Sequence, residues 1–280
     1  MTELSHFRQG SGPPLVLIHG IGSHWQVWSP VLDELTRHRD VIALDLPGFG
    51  ASPPWPPPAA TPTAADIPQS ALPPPPGSVA HLADLVTAFL DRLGVQNPEV
   101  GGNSLGGGIA LELGRRGVAR SVTAFSPVGF WSSAGRRWCQ TVVGAARTGA
   151  VRLQPALPGI MNSRAGRAAF CAPFFAHPAR LPAADGLSAA RALAAAPGFA
   201  PTRRAFADLP PWSWTNTGAL TRIPVTIAWG TRDAVLPYRT QARRARTVLP
   251  TARHVRLPSC GHLPFADNPT RCAALLLRHP

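Results

Sequence analysis

Lysine is absent from this 280-residue chain, so all 27 of its strong cations are arginine, set against 14 carboxylates for a formal charge of +13. A charge of that size admits a nucleic-acid or anionic-membrane partner. The arginines are dispersed, however, and sit among abundant Ala, Pro and Gly, as in the product of a GC-rich genome. No arginine-rich helix with interleaved aromatics is present, so a nucleic-acid partner is not expected. No apolar run reaches the eighteen or so residues a membrane span requires. The segment Thr2–Arg8 lacks the basic-then-apolar layout of a secretory signal, which gives a cytoplasmic expectation. The four cysteines, Cys139, Cys171, Cys260 and Cys272, form no CxxC pair. A disulfide framework is therefore not expected, and buried free thiols are. With 45% hydrophobic and 15% charged residues, the chain can fill a sizeable core and is not disordered.

What is present is a rhythm. Short apolar runs at Leu15–Ile18, Val41–Leu44, Glu99–Gly102, Ser121–Phe125, Pro224–Trp229 and His254–Leu257 are bounded by Gly, Pro or Asp and read as buried parallel strands. Helical patterns at Val79–Leu93, Leu105–Arg116, Tyr238–Leu249 and Pro269–Leu277 separate them. The alternation predicts an α/β fold, a doubly wound and mostly parallel sheet whose ligands sit beyond the carboxyl ends of the strands. Two segments interrupt it. Residues 52–77 hold Pro56–Pro58 and Pro73–Pro76 and read as an exposed proline-rich loop. Residues 128–212 carry Ala/Arg-rich helical stretches at Gly135–Leu153, Ser163–Phe175 and Ser188–Ala196, an inserted helical subdomain. The core is then 1–127 and 213–280. Arg136, Arg137 and Arg147 of the insertion read as solvated helix faces.

Gly102-Asn103-Ser104-Leu105-Gly106 is a G-x-S-x-G match. Such a match arises by chance in roughly one chain in ten of this length, but here a strand precedes it and a helix follows. That is the setting of a strand-to-helix turn that exposes a nucleophilic serine. Ser104 would sit at a helix N-terminus, where the free amide of Leu105 and the helix dipole favour an oxyanion. A second donor is expected from the turn His19-Gly20-Ile21-Gly22, through the amide of Ile21; losing one such donor typically costs about 10²–10³ in turnover. Serine needs a base. His262, on the Gly-containing loop after the last strand, is the candidate, and Asp233, just past the fifth apolar run, is the acid that would orient it. The fourth run ends in Phe125-Ser126-Pro127 with no carboxylate, which favours Asp233. Cys260, two residues before His262, reads as a packing residue.

Taken together, His19–Gly22, Asp45–Gly50, Gly102–Gly108, Trp229–Pro237 and Gly261–Pro269 resemble the α/β-hydrolase fold superfamily, from about Leu15 to the end of the chain. The resemblance implies a helical cap over the core, with the substrate pocket between them, and a structural Asp45 shaping a turn. Only Leu4–Gln9 is available before Leu15, so a sheet of about seven strands is expected, one fewer than usual. Its edge would be open to pairing with a second copy as a homo-oligomer. Members that resemble epoxide hydrolases or haloalkane dehalogenases carry an Asp nucleophile; here the position is Ser104. The single tyrosine, Tyr238, lies outside the insertion, and Leu105 stands where dehalogenases place tryptophan. The resemblance points to a carboxylesterase-like serine hydrolase of small or medium, mostly apolar esters, working on a small-molecule substrate with no metal or organic cofactor. A C–C bond hydrolase of meta-cleavage type and a slow-turnover ligand-binding protein of the same fold are the alternatives. Insertion aromatics such as Trp131, Trp138, Phe170, Phe174, Phe175 and Phe199 are candidates for pocket walls.

Overall fold

Each apolar run of the sequence becomes a strand because its alternate side chains have two hydrophobic layers to enter. In β2 (Pro14–Ile18), Leu15 and Leu17 join one layer while Val16 and Ile18 join the other. The same split runs through β3 (Asp40–Leu44), where Val41 and Ala43 face opposite to Ile42 and Leu44. The computed structural model describes residues 3–55 and 73–278. Among these residues the sheet has seven strands, completed by β1 (His6–Gln9), β4 (Glu99–Asn103), β5 (Ser121–Phe125), β6 (Val225–Gly230) and β7 (Arg253–Leu257). The order is β1-β3-β2-β4-β5-β6-β7. All neighbours are parallel except β1, which runs antiparallel along β3 with His6 opposite Leu44. The short segment before Leu15 thus supplies one antiparallel edge strand, and the expected seven-strand, mostly parallel sheet is found.

Helices cover both faces. One layer is closed by α1 (Ser29–Thr36), the short α10 (Pro264–Asp267) and α11 (Pro269–Leu276). The other is closed by α2 (Val79–Arg92), α3 (Leu105–Arg115) and α9 (Tyr238–Val248). In α2, Leu82, Val86, Phe89 and Leu90 are buried along one stripe, each stabilising by about 1.5–3 kcal/mol. Ser78 caps its start by accepting from the His81 amide, and Gly94 ends it in the left-handed region. Beneath the sheet, at the start of β4, the buried Glu99 carboxylate receives Arg39 on one oxygen and Arg120 on the other.

Between β5 and β6 the chain leaves the sheet for a helical insertion: α4 (Ser133–Arg152), α5 (Leu157–Asn162), α6 (Arg164–Cys171), α7 (Ala183–Ala195) and α8 (Phe199–Asp208). Sequence periodicity anticipates α4, α6 and α7 but not α5 and α8. Pro158 reads as punctuation of the insertion, whereas it lies in the first turn of α5, where the missing N–H costs nothing. Arg147 also departs from the expected solvated face. It lies over the Phe199 ring, 4.9 Å from its centroid, and donates to the carbonyls of Ala194 and Ala196, pinning α4 to the α7–α8 junction. The insertion is not a separate globule: Trp131, Val143, Leu193, Phe199 and Phe206 share one buried cluster with β4, β5 and β6. Only Leu157, Met161, Cys171, Leu181 and Ala190 form a small cluster of its own. Of the proline-rich loop, residues 56–72, with Pro56–Pro58, lie outside the described residues. Among the described residues no helix is long and apolar enough to cross a membrane.

The Glu99 pair makes a direct prediction. Removing the carboxylate in Glu99→Ala leaves two guanidinium groups facing a buried, uncompensated site and is expected to cost about 3 kcal/mol in urea unfolding. A loss under half that size would show that water already screens this end of the sheet.

Candidate active site

The chain turns from β4 into α3 within a single residue. Ser104 makes that turn with φ 57° and ψ −115°, a sparsely populated conformation for a residue with a side chain, and such strain costs on the order of 1–3 kcal/mol. It is held from three directions. The Ser104 amide donates to the Phe125 carbonyl at 2.9 Å, and its carbonyl accepts from Gly108 and Val128, both at 3.0 Å. The turn is also too tight for side chains on either flank. A Cβ at Gly102 would stand 2.1 Å from the Gly106 carbonyl oxygen, and one at Gly106 would stand 2.0 Å from that of Ile18. Sharp reversal of the chain leaves Ser104 at the N-terminus of α3, with Leu105 as the first helical residue.

Two further loops arrive at the same rim. After β6, Asp233 closes a tight turn by accepting from the amides of Val235 at 2.9 Å and Leu236 at 2.7 Å through Oδ1. Its Oδ2 accepts from His262 Nδ1 at 2.9 Å. A proton on Nδ1 leaves Nε2 of His262 as the free acceptor, the tautomer a general base requires. The imidazole and the carboxylate are both buried, at 4% and 6% exposure, and Ser104 is equally so at 4%. Ser104 and His262 line one cavity of about 70 Å³, together with Gly20, Ile21 and Gly22 from the turn after β2. Asp233 stands behind the imidazole. Of the residues singled out by sequence, Ser104, His262 and Ile21 therefore line one cavity, Asp233 supports it, and Leu105 lies wholly buried at the helix start beside it.

Sequence reasoning missed two residues that tie these loops together. Asn103 donates through Nδ2 to the His262 carbonyl at 3.0 Å and to the Phe125 carbonyl at 3.2 Å, linking the turn at Ser104 to the His262 loop. Asp267 accepts from the amides of Gly261 at 2.8 Å, Ala176 at 3.0 Å and His177 at 3.1 Å. With the Leu263 amide donating to the Phe174 carbonyl at 2.9 Å, it clamps the insertion against the His262 loop. Neither carries a spacing that announces a role: Asn103 fills a variable position of G-x-S-x-G, and Asp267 lies just before the helical pattern that begins at Pro269.

His19 serves the turn after β2 rather than a proton transfer. It is fully buried, its Nε2 accepts from the Leu46 amide at 2.9 Å, and its Nδ1 faces the Gly20 carbonyl at 2.7 Å. A neutral ring with the proton on Nδ1 satisfies both, and burial pushes its pKa down to about 4. Asp45, beside it, accepts from the amides of Trp25 and Ala51 and shapes the neighbouring turn, as expected. Cys260 is buried, and burial raises its thiol to about 11, so it packs and does not react. The insertion supplies apolar walls through Val143, Phe170, Phe174, Phe175 and Leu193. Trp131 and Phe199 pack in the core instead, and Trp138 is half exposed, with its indole N–H donating to the Ala234 carbonyl at 2.8 Å.

Comparison with known proteins follows the same outline. Residues 15–275 match a family described as the alpha/beta hydrolase family. An uncharacterized protein of Mycobacterium tuberculosis is 30% identical over 285 aligned residues, which cover 94% of this chain and 73% of that protein. Epoxide hydrolase EphH of the same organism is 33% identical over 210 residues, covering 71% of this chain and 93% of EphH. Among solved structures, a thermophilic esterase from Thermogutta terrifontis superposes with a TM-score of 0.68 at 22% identity, covering 98% of this chain and 92% of that one, a likeness of fold.

Two predictions arise from this geometry. Burial holds His19 near 4 when folded, against about 6.5 in an unfolded chain, so the unfolded state protonates first. The stability contributed is intact above about pH 6.5 and is lost as pH falls toward 4, about 3 kcal/mol at full extent. Urea unfolding of wild type and His19→Gln across that interval isolates the share of this ring; parallel curves would refute it. Asp267→Ala leaves three backbone amides without their acceptor and is expected to destabilise by about 2 kcal/mol or more. Hydrogen exchange should rise first at Ala176, His177 and Gly261, and uniform protection there would contradict the clamp.

Proposed function

This chain belongs to the alpha/beta hydrolase family, and from that premise we propose that it is a serine hydrolase of small or medium, mostly apolar carboxylic esters. The observation that supports the reading most is the 2.9 Å contact between His262 Nδ1 and Asp233 Oδ2, with His262 and Ser104 on the wall of one apolar cavity. An imidazole held by a carboxylate on the wall of the cavity that a serine also lines is the set of groups acyl transfer needs.

In this scheme Ser104 Oγ attacks the ester carbonyl carbon and its proton passes to His262 Nε2. The carbonyl oxygen becomes an oxyanion and is held by the amides of Ile21 and Leu105. The tetrahedral centre collapses, the C–O bond to the alcohol breaks, and His262 returns its proton to the departing alkoxide. Water then repeats the sequence on the acyl-enzyme and releases the carboxylic acid and free Ser104. Asp233 stays ionised throughout, fixing the ring and stabilising the imidazolium. Protein groups and water account for every proton and electron pair.

The kinship with EphH raises epoxide opening as a second chemistry. Two features of this chain weigh against it: a serine stands at the nucleophile position, and its one tyrosine, Tyr238, lies on α9 outside the insertion. The small volume of the cavity favours short acyl groups over long ones.

The test is a panel of p-nitrophenyl esters from acetate to dodecanoate, run beside Ser104→Ala and an active-site phosphonate. Turnover is expected to peak at the short chains and to fall by about 10³ or more in the variant. Mass spectrometry should find one phosphonate adduct, on Ser104. No adduct there, or full turnover by Ser104→Ala, refutes the mechanism. Binding of the esters that raises Tm without releasing acid would make the chain a ligand-binding member of its fold.

A further inference from the structure

A second cavity, of about 270 Å³, lies against the first. Ser23, Phe175, Ala189 and Leu263 line both, so the two share a wall. The chambers differ in chemistry. The inner one is walled by Val143, Phe170, Phe174 and Leu193 around Ser104 and His262. The outer one is also mostly apolar, with Leu181 and Phe265 on its wall, but adds the polar groups of His24, Gln26, Ser29, Asp185 and Ser188.

We propose that the outer cavity is the leaving-group subsite of the hydrolase, built for a polar alcohol that is hydroxylated or cationic and not anionic. The proposal rests on the serine-hydrolase reading above. Its first support is the path of the proton. His262 must return a proton to the departing alkoxide, so the alcohol has to lie on the imidazole side of Ser104. Leu263, the residue after His262, lines both chambers, so the outer chamber adjoins the loop that carries the imidazole. The acyl group is then left with the inner chamber, whose size and apolar walls suit a short hydrocarbon chain.

The second support is that the dividing wall is built rather than loosely packed. Leu263 donates its amide to the Phe174 carbonyl, and Asp267 holds Ala176, His177 and Gly261 on either side of the same seam. Phe175 and Leu263 are therefore fixed as the lip between the chambers. The third is charge. Among the described residues, Asp185 is the one formally charged side chain on the outer wall, in a chain that otherwise carries a large excess of arginine. His24, facing the same space, is mostly buried, which pushes its pKa down and keeps the ring neutral near pH 7. A carboxylate with neutral hydrogen-bonding neighbours attracts cationic or hydroxylated groups and repels anions. Asp185 and Ser188 are exposed, so an alcohol released here leaves directly to water.

The experiment compares butanoate esters of five alcohols on the full chain: methanol, choline, its neutral isostere 3,3-dimethylbutan-1-ol, glycerol and 3-hydroxypropanoate. Methyl butanoate reports the ester-hydrolase reading itself; the ranking of the others reports the subsite. The choline ester is expected to exceed its isostere in kcat/KM by about three- to fivefold, the size an exposed charge pair supports. The glycerol ester should also exceed the isostere, and the anionic ester should be the poorest. Asp185→Asn should bring the choline-to-isostere ratio close to one. Ser188→Trp, which narrows the outer chamber, should lower the bulky alcohols relative to methyl by about tenfold. If methyl butanoate turns over and Ser104 is labelled while both ratios stay put in the two variants, the alcohol does not enter this cavity and the proposal is overturned. If methyl butanoate is not hydrolysed and Ser104 takes no label, the serine-hydrolase reading fails and the subsite falls with it.

Discussion

Ser104 has to hold a backbone conformation that its own side chain disfavours, at the one point where β4 becomes α3, and much of the surrounding structure follows from keeping it there. A hydrogen bond from its amide reaches the end of β5, and its carbonyl is shared by α3 and by Val128 at the start of the insertion. The strain is thus spread over a central strand, a helix and the chain leaving the next strand. Nothing that loosens β4 or β5 can spare the turn, because the same contacts serve both. Close approach of the flanks to the Ile18 and Gly106 carbonyls explains why glycine stands on both sides. The helix then starts at Leu105, directly after Ser104, so its unpaired first-turn amides lie at the same end of β4.

The remaining pieces reach this rim from separate strand ends, and each is anchored by polar cross-links to a neighbouring loop. Asp233 spends one oxygen on its own turn and the other on His262, so the carboxylate that orients the ring is itself immobilised. Asn103 bridges the β4, β5 and His262 segments through one amide nitrogen. His19 does the same for the turns after β2 and β3, as a neutral ring whose Nε2 must stay unprotonated to accept from Leu46, a state that burial favours. These bonds are buried, so each is dear to lose and sharply directional. Loops carried on a rigid parallel sheet and laced in this way can hold a proton-transfer geometry that free loops could not.

How much of this was legible beforehand depended on whether a residue's role is local. The six apolar runs and their helices were readable because each strand's composition and bounding residues are set by burial on both faces. Ser104, Asp233 and His262 stood out because strand–turn context concentrates reactive types at strand ends. Asn103 and Asp267 tie in groups as far as 159 and 91 positions away, and no periodicity or spacing encodes such a partner. The helix α5 is hidden by Pro158, because proline breaks a helix in its middle and starts one at its first turn; the letter is the same and only the three-dimensional setting distinguishes them. Arg147 looked like a solvated cation because its partners are an aromatic face and two carbonyls, none of which a charge pattern reveals.

The insertion shows how stability and substrate choice are divided in this fold. Its α4 and α8 contribute Val143, Phe199 and Phe206 to the same cluster as the sheet, so a change there disturbs the core that positions Ser104. The wall carried by α6 and the middle of α7 rests instead on the small cluster around Leu157, Met161 and Cys171. That wall contributes Phe170, Cys171, Gly186 and Ala190 to the inner chamber. Of these, Cys171 and Ala190 belong to the small cluster, so a change of their volume falls first on that cluster and away from the strained turn. The cavity wall is therefore shared between the two clusters: Val143 and Leu193 belong to the one that holds Ser104 in place, Cys171 and Ala190 to the smaller one, and Phe170 packs against both.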